Sequence, residues 1–401
     1  MSVSVPSLRR LLTLTLCTVL CTAVMFAFTD HTHAWPKGGN GGGNGNGGGE
    51  DPPPPLTFSV AVLGGVPGRQ TARLNDQGDV VGTAIDAGGG KFAAIWPAGS
   101  TAPLDLNTLI DPDMGVTLLR GSAINNVGQV AGWMARRWTD ETGNHITWSA
   151  YRLTLDDPDP PIFEDLGAPP FNLVQDMNDW GDVVVLVPYT TYVYTDELGL
   201  VSLDIGNYQA LNGNSINNSG EIVGEAKGPS GYWHAFLYSP GDGTWQNLTP
   251  SNSNSGGLDI NEAGEIVGYS YQTSGKTSGT HAALWSPDTG YEDLGTLGGT
   301  TSKAYSINDS GLIVGTSTAY KPRPNDPPAP SVAFLLTNGT MHELLADVSN
   351  GGLLADGQLP AGWDQAVSST AYDINDANQI VGWVDFPDGT YELFVLTPIA
   401  P

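Results

Sequence analysis

The chain has 401 residues, with 15 Lys and Arg against 42 Asp and Glu, a formal charge of −27. A field of that sign repels phosphate backbones and anionic headgroups, which argues against nucleic acid or a lipid surface as a partner. There are two cysteines, Cys17 and Cys21, both near the amino terminus, so neither a disulfide framework nor a thiolate metal site holds the rest of the chain.

In chain order, Arg9 and Arg10 precede an uncharged apolar run from Leu11 to Phe28, and Thr32-His33-Ala34 offers a small-x-Ala cleavage site. Residues 1–34 are therefore expected to be a signal peptide. The run is also just long enough to span a bilayer, so an uncleaved anchor is the alternative. Small residues follow the run and no basic stop-transfer cluster does, which favours cleavage and a mature form without a membrane span. A cut after Ala34 removes both cysteines with Arg9, Arg10 and Asp30, leaving 13 basic and 41 acidic residues, a net charge of −28. Residues 35–55 contain Gly38 to Gly49, built of Gly and Asn, and then Pro52 to Pro55: a flexible linker with a stiff polyproline end.

From Leu56 onward the chain reads as strands. Phe58 to Leu63 comes first, and then a phrase of Asn, a turn and a Gly-bounded aliphatic strand recurs seven times. Its anchoring asparagines are Asn75, Asn125, Asn178, Asn217, Asn261, Asn308 and Asn375. Repeats of this size, made of short strands, mean a unit that cannot bury its own apolar face and stacks on copies of itself. The fourth repeat shows the unit plainly: a strand ending at Ser215-Ile216-Asn217, a turn at Asn218-Ser219-Gly220, then Glu221 to Ala226, His234 to Tyr238 and Thr244 to Leu248. The third strand recurs at Phe92–Trp96, Ser149–Leu153, Thr191–Thr195, His281–Trp285, Val332–Leu336 and Glu392–Leu396. The fourth recurs around Leu104–Leu106, Glu164–Leu166, Leu203–Ile205, Glu292–Leu294 and Glu343–Leu345.

Four antiparallel strands per repeat predict an all-β chain, a seven-bladed β-propeller occupying 56–398 as one domain. The seventh repeat has only three strands, and the extra strand at Phe58–Leu63 is expected to complete it. Twelve residues separate Leu63 from Asn75, against eleven from Leu297 to the next repeat's Asn308, so the amino-terminal strand fits the place of a fourth strand. Such closure removes two exposed sheet edges.

His234-Ala235-Phe236 with Leu237-Tyr238, and Asp293 to Gly299 leading to Ser306-Ile307-Asn308, resemble the HAF family of extracellular repeats. The resemblance covers most of Leu56 to Pro398 and is strongest from Ser215 to Gly315. Repeats three and seven depart from it, with Val185 in place of the closing Gly and Asn378 in place of the turn Gly. It implies bacterial export and tandem repeats, and it supplies no reaction and no catalytic residues.

The Asn-Asp/Asn-x-Gly element has the carboxylates and carbonyls of a calcium loop, but one copy offers two or three oxygens where six or more are needed. A hairpin turn explains it better, with Asn bonding its own backbone and Gly accepting positive φ. Calcium is the one cofactor kept in view, and no metal-ligand set can be chosen. His234 and His281 hold equivalent places in neighbouring repeats and are expected to pack. Neither Gly-x-Ser-x-Gly nor His-Glu-x-x-His occurs.

Trp96, Tyr238 and Trp285 fall in one repeat column, and Trp133, Tyr269 and Trp383 in another, so both sets are expected in the core. Long insertions fall mainly between second and third strands (135–146, 319–331) or between fourth and first strands (107–120, 346–368), which emerge on the same face. A ligand site is expected there, near the channel mouth. The candidates are Asp111 and Asp113, acidic and in a loop, and Trp138 and Trp363, whose rings either stack on sugars or anchor a loop. The expected function is a secreted or periplasmic, cell-surface-type binding propeller for an extracellular glycan or protein, monomeric and non-catalytic. The alternatives are a hydrolase or lyase acting on an extracellular polysaccharide or polyester, and a cation-dependent adhesin.

Overall fold

The computed structural model describes residues 56–66, 72–155, 160–167, 169, 173–206, 208, 210–241, 243–249, 253–272, 278–319, 330–346, 352–355 and 357–399. The expected signal and linker (1–34 and 35–55) lie outside these residues.

Strand β1 (Thr57–Leu63) opens the domain. Blade 1 follows as β2 (Arg73–Leu74), β3 (Val80–Ile85), β4 (Lys91–Trp96) and β5 (Leu104–Asp105). Blade 2 is β6 (Val116–Ile124), β7 (Gln129–Asp140), β8 (Gly143–Thr154) and β9 (Ile162–Asp165); blade 3 is β10 (Leu173–Met177), β11 (Val183–Val187), β12 (Thr190–Thr195) and β13 (Gly199–Ser202). Blade 4 is β14 (Ala210–Ile216), β15 (Ile222–Lys227), β16 (Trp233–Ser239) and β17 (Thr244–Asn247). Blade 5 is β18 (Ser255–Ile260), β19 (Ile266–Gln272), β20 (Gly279–Ser286) and β21 (Gly290–Gly295). Blade 6 is β22 (Ser302–Ile307), β23 (Ile313–Thr318), β24 (Ser331–Thr337) and β25 (Thr340–Glu343). Blade 7 is β26 (Ser368–Ile374), β27 (Ile380–Asp385) and β28 (Tyr391–Ile399), with β1 as its fourth strand.

All seven sheets are four-stranded and antiparallel, and the molecule is a seven-bladed β-propeller. The closing strand pairs with β28 from Thr57↔Ile399 to Leu63↔Leu393. Its outer edge is covered at one point, where Phe58 bridges Leu354 in parallel register. Two fourth strands sit earlier than the sequence suggests. β13 ends at Ser202 because the turn after Thr195 is tight and pairs Thr195 with Gly199, so Leu203 is left as a flank that still donates to the Thr191 carbonyl (2.8 Å). β25 likewise pairs Thr340 with Thr337 across a two-residue Asn338-Gly339 turn, and Leu344 follows the strand.

The core is partitioned by seam. Among the described residues seven clusters of buried side chains occur, and each joins two adjacent blades. Val81 and Ile95 of blade 1, for example, meet Leu118, Met134 and Tyr151 of blade 2. The blade 7 to blade 1 seam is built the same way, from Val381, Trp383 and Leu63 against Leu74, Val80 and Trp96. Stacking therefore buries the face that no blade covers alone.

The Gly that closes the repeat phrase has a packing cause, seen in blades 4 and 6. A Cβ on Gly224 would strike the Asn212 carbonyl of the first strand, and the Phe236 ring of the third strand crowds the same spot; Gly315 stands identically to Lys303 and Phe334. The turn Gly is a conformational requirement: Gly220 has φ +77°, and Asn378, which replaces it in blade 7, adopts φ +60°, a conformation Asn tolerates.

Of the two tryptophan columns, Trp96, Trp285 and Trp383 are buried, while Tyr238, Trp133 and Tyr269 are half-buried. Among the described residues no helix is long and apolar enough to cross a membrane.

Candidate functional site

The anchoring asparagines do more than cap turns. In each repeat the Asn Oδ1 accepts from the backbone N–H four residues on, as from Asp79 (2.8 Å), Gln129 (2.8 Å) and Glu221 (3.0 Å). The Nδ2 then reaches out of the blade. It donates to the backbone carbonyl of the next blade's anchoring Asn: Asn75 to Asn125 (3.5 Å), Asn125 to Asn178 (3.0 Å), Asn178 to Asn217 (3.2 Å) and Asn217 to Asn261 (3.3 Å). Asn261 to Asn308 (3.2 Å), Asn308 to Asn375 (3.0 Å) and Asn375 to Asn75 (2.7 Å) complete a closed ring. Every one of these side chains is 3–5 % exposed, so each amide is buried and satisfied within the ring. The turn chemistry read from the sequence is present, and the link between blades is the part that reading missed.

A second closed ring lies one residue further on. The side-chain oxygen of each following residue accepts the backbone N–H of its counterpart in the preceding blade: Asn126 from Asp76, Asp179 from Asn126, Asn218 from Asp179, Glu262 from Asn218, Asp309 from Glu262, Asp376 from Asp309, and Asp76 from Asp376, all at 2.8–2.9 Å. Five of the seven acceptors are carboxylates and two are amides.

Both rings line a chamber of about 380 Å³ that opens on the axis at the face of the first-to-second-strand turns. The column two residues ahead of the anchoring Asn reads Arg73, Ala123, Asp176, Ser215, Asp259, Ser306 and Asp373, and the last five of these form the chamber floor. Six first-to-second-strand pairings have a register shift, and in all six the residue after a shift belongs to this column. A bulge at that point re-aims a side chain. Ser215 Oγ lies between Asp176 (2.7 Å) and Asp259 (2.8 Å), and Ser306 Oγ between Asp259 (2.8 Å) and Asp373 (3.0 Å). Arg73 Nη1 stands 3.5 Å from Asp373 Oδ1.

The electrostatics follow from burial. Desolvation raises the pKa of Asp76, Glu262 and Asp309 above the ordinary carboxylate range, and neighbouring carboxylates of the ring push the same way. On the floor, desolvation raises Asp176 and lifts Asp373 to about 7, with Asp259 adding to both and Arg73 opposing. Burial pulls the Arg73 pKa down, but Asp373, Asp176 and Asp259 together hold it above its ordinary value. Among the described residues no group of three or more His, Cys, Asp and Glu side chains is arranged to hold a metal ion.

The four candidates from the sequence lie elsewhere. The long hairpin of β7 and β8 extends blade 2, and Trp138 sits near its tip, 44 % exposed and stacked on His145 at 5.2 Å. Asp111 and Asp113 flank it on a 3-10 turn (Pro112–Met114), with Asp111 Oδ1 capping the Asp113 N–H (2.9 Å) and Gly115 accepting from the Arg137 N–H (2.8 Å). Trp363 is remote from them. It is 5 % exposed, packs on Phe394 and donates its indole N–H to Glu392 (2.7 Å), which is the geometry of an anchor. The strand order puts the described ends of all four long insertions on the face opposite the chamber. Leu353 to Ala355, within the insertion from 346 to 368, cover Phe58 of the closing strand.

Trp180, two residues after Asn178, was not singled out as a site residue, yet it is bonded to Asn218 of the chamber wall. It is 47 % exposed and donates its indole N–H to the Asn218 carbonyl (2.9 Å). Its place in the turn was the available signal, since the other repeats have Gln77, Val127, Ser219, Ala263, Ser310 and Ala377 there.

A model of a family described as protein of unknown function (DUF3466) matches residues 243–393. No curated protein matches the chain by sequence. Among solved structures, TolB from Acinetobacter baumannii is similar over 65 % of this chain and 61 % of its own, with 10 % identity and a TM-score of 0.40. A puromycin-hydrolysing peptidase of Mycobacterium tuberculosis matches over 83 % of this chain and 50 % of its own (13 % identity, TM-score 0.40). Dipeptidyl peptidase 4 of Porphyromonas gingivalis matches over 78 % and 50 % (10 % identity, TM-score 0.41). The chain thus spans between half and about three-fifths of these proteins, and neither their activities nor their ligands transfer to it.

Proposed function

We propose that this chain is a secreted, non-catalytic binding propeller that takes a cationic group of an extracellular protein or glycan into its axial chamber. One observation carries the proposal. The ring around the mouth needs only an acceptor oxygen at each position, and Asn126 and Asn218 fill that role as well as a carboxylate does. The five charges at Asp76, Asp179, Glu262, Asp309 and Asp376 are therefore not required by the fold, and placing them together opposes it through like-charge repulsion. A lysine, guanidinium or amino-sugar ammonium entering the chamber relieves that repulsion, and Trp180, bonded to the chamber wall, offers it an aromatic surface. The serines on the floor are each held between two carboxylates, which suits binding better than activation of a nucleophile.

In this reading residues 1–34 direct export and 35–55 tether the propeller, and the resemblance of the repeat phrases to HAF repeats supports a location outside the cytoplasm. A hydrolase or lyase of an extracellular polymer is the competing function. The test is a panel of cationic peptides, chitosan oligomers, neutral glycans and polyesters, scoring binding and product release together. Binding restricted to the cationic members, weakened by salt and without product, supports the proposal. Turnover of any member overturns it. Calcium alone forms a further arm, since a calcium-dependent rise in melting temperature supports the cation-dependent adhesin instead.

A second surface, the blade-2 hairpin, is favoured for glycan stacking by the exposed Trp138–His145 pair, with Asp111 and Asp113 beside it.

A further inference from the structure

The floor of the chamber contains more oxygen–oxygen contacts than its hydroxyl protons can serve. Four contacts of 2.7–3.0 Å join two serines to three aspartates, in the order Asp176, Ser215, Asp259, Ser306, Asp373. A hydroxyl donates one proton. Two serines therefore satisfy two contacts, and the other two would set lone pair against lone pair if every carboxylate were ionised. Each contact has its proton only when carboxyl groups bring two more.

We infer that this girdle binds two protons, one on Asp176 and one on Asp373, with Asp259 ionised between them. Asp176 then donates to Ser215 and Asp373 to Ser306, while both serines donate to Asp259. Asp259 Oδ2 also takes the Ile307 N–H (3.0 Å), so the ionised carboxylate collects three donors. Asp373 retains its other oxygen for the Leu74 N–H (2.9 Å). The charge balance is one to one: Arg73, whose nearest girdle oxygen is Asp373 Oδ1 at 3.5 Å, acts on all three carboxyl groups, and with two of them protonated the remaining charge on Asp259 offsets its guanidinium. Burial raises the pKa of both protonated groups.

The charged and titratable groups around the girdle are few. Arg73 faces it from β2, Arg120 on β6 acts on Arg73, and Tyr372 on β26 lies beside Arg73. On the open side stand the ring carboxylates of the mouth. The sign of the linkage is fixed by these upward shifts. Protonation of Asp176 and Asp373 is stronger in the folded state, so its stabilisation is complete below the unfolded pKa of about 4 and is lost as pH rises towards 7. The propeller gains stability on acidification.

The experiment compares the wild-type chain with Asp176→Asn/Asp373→Asn and with Asp259→Asn, by melting temperature from pH 5 to pH 8. An Asn amide donates as a protonated carboxyl does, but at position 176 its nitrogen cannot also accept the Ile216 N–H that Asp176 Oδ2 takes at 3.1 Å, so the double variant is expected to melt a little below the wild type at pH 5 and to lose that deficit by pH 8, with a flatter pH slope. Asp259→Asn is expected to melt below the wild type throughout, because it withdraws the acceptor of two hydroxyls. Infrared spectroscopy of the wild type at pH 6 provides a readout that needs no stable variant: a carbonyl band of protonated carboxyl groups is expected. Absence of that band, or a double variant that melts as low as Asp259→Asn at every pH, overturns the inference.

Discussion

The two faces of this disc are built on opposite principles. At the face of the first-to-second-strand turns all seven repeats do the same thing, with one Asn and the residue after it closing two rings of hydrogen bonds around the axis. At the other face the repeats diverge, and the insertions of blades 1, 2 and 6 serve separate ends: a hairpin reaching outward, a 3-10 turn beside it and a segment covering Phe58 of the closing strand. Uniformity at one face is what lets charge accumulate on a single axis. Diversity at the other yields local anchors and exposed aromatics but no shared cavity among its candidate residues.

The difference can be broken most severely at its seam. Deletion of residues 56–65 removes β1, strips Phe58 from the blade 6–7 core and leaves β28 as an edge nine residues long. Loss of the monomer peak in size-exclusion chromatography and of a cooperative melt is expected. On the divergent face, Trp363→Ala should cost about 3–5 kcal/mol in urea denaturation, as truncation of a buried aromatic does. On the uniform face, Asn217→Ala should cost about 3 kcal/mol, because it strands the Glu221 N–H and the Asn261 carbonyl in a buried ring. An effect of Asn217→Ala near zero would remove the ring from the account of stability.

Charge in the chamber supplies a smaller effect of opposite sign to that of the floor. Because burial raises Asp76, Glu262 and Asp309, a cation should bind more tightly as pH rises through the acid range, while the fold loses stability over the same interval. Calorimetric titration with a lysine-rich peptide at pH 5 and pH 8 checks this. Smallest of all, Trp138→Ala should change stability by less than about 0.5 kcal/mol, since the ring is exposed near a hairpin tip.

How much of this was legible follows from which residues repeat. The blade count, the strand pairs and closure by Phe58–Leu63 were readable because period-2 patterning, turn glycines and the missing fourth strand are local features. Asn378 standing for Gly at positive φ was readable for the same reason. The chamber was not. Asp76, Glu262 and Asp309 look like ordinary turn residues one at a time, and only ring closure brings residues up to 300 positions apart to one axis. Asp176, Asp259 and Asp373 share a column, but the bulge beside them obscures which way a strand residue points. Insertions drew attention to Trp363 because length in a loop suggests function, whereas here the loop packs its own tryptophan.

The central claim is that the chamber, and not the hairpin, takes the ligand. The direct measurement is titration calorimetry of one lysine-rich peptide against the wild type, Glu262→Gln/Asp309→Asn/Asp376→Asn and Trp138→Ala at pH 7.5. The amides preserve the acceptors of the ring, as Asn126 and Asn218 do, so the triple variant should fold and melt normally. It is expected to lose at least about tenfold in affinity, roughly 1.4 kcal/mol, while Trp138→Ala binds as the wild type does. A folded triple variant that binds with wild-type affinity, or loss of binding in Trp138→Ala alone, would contradict the account.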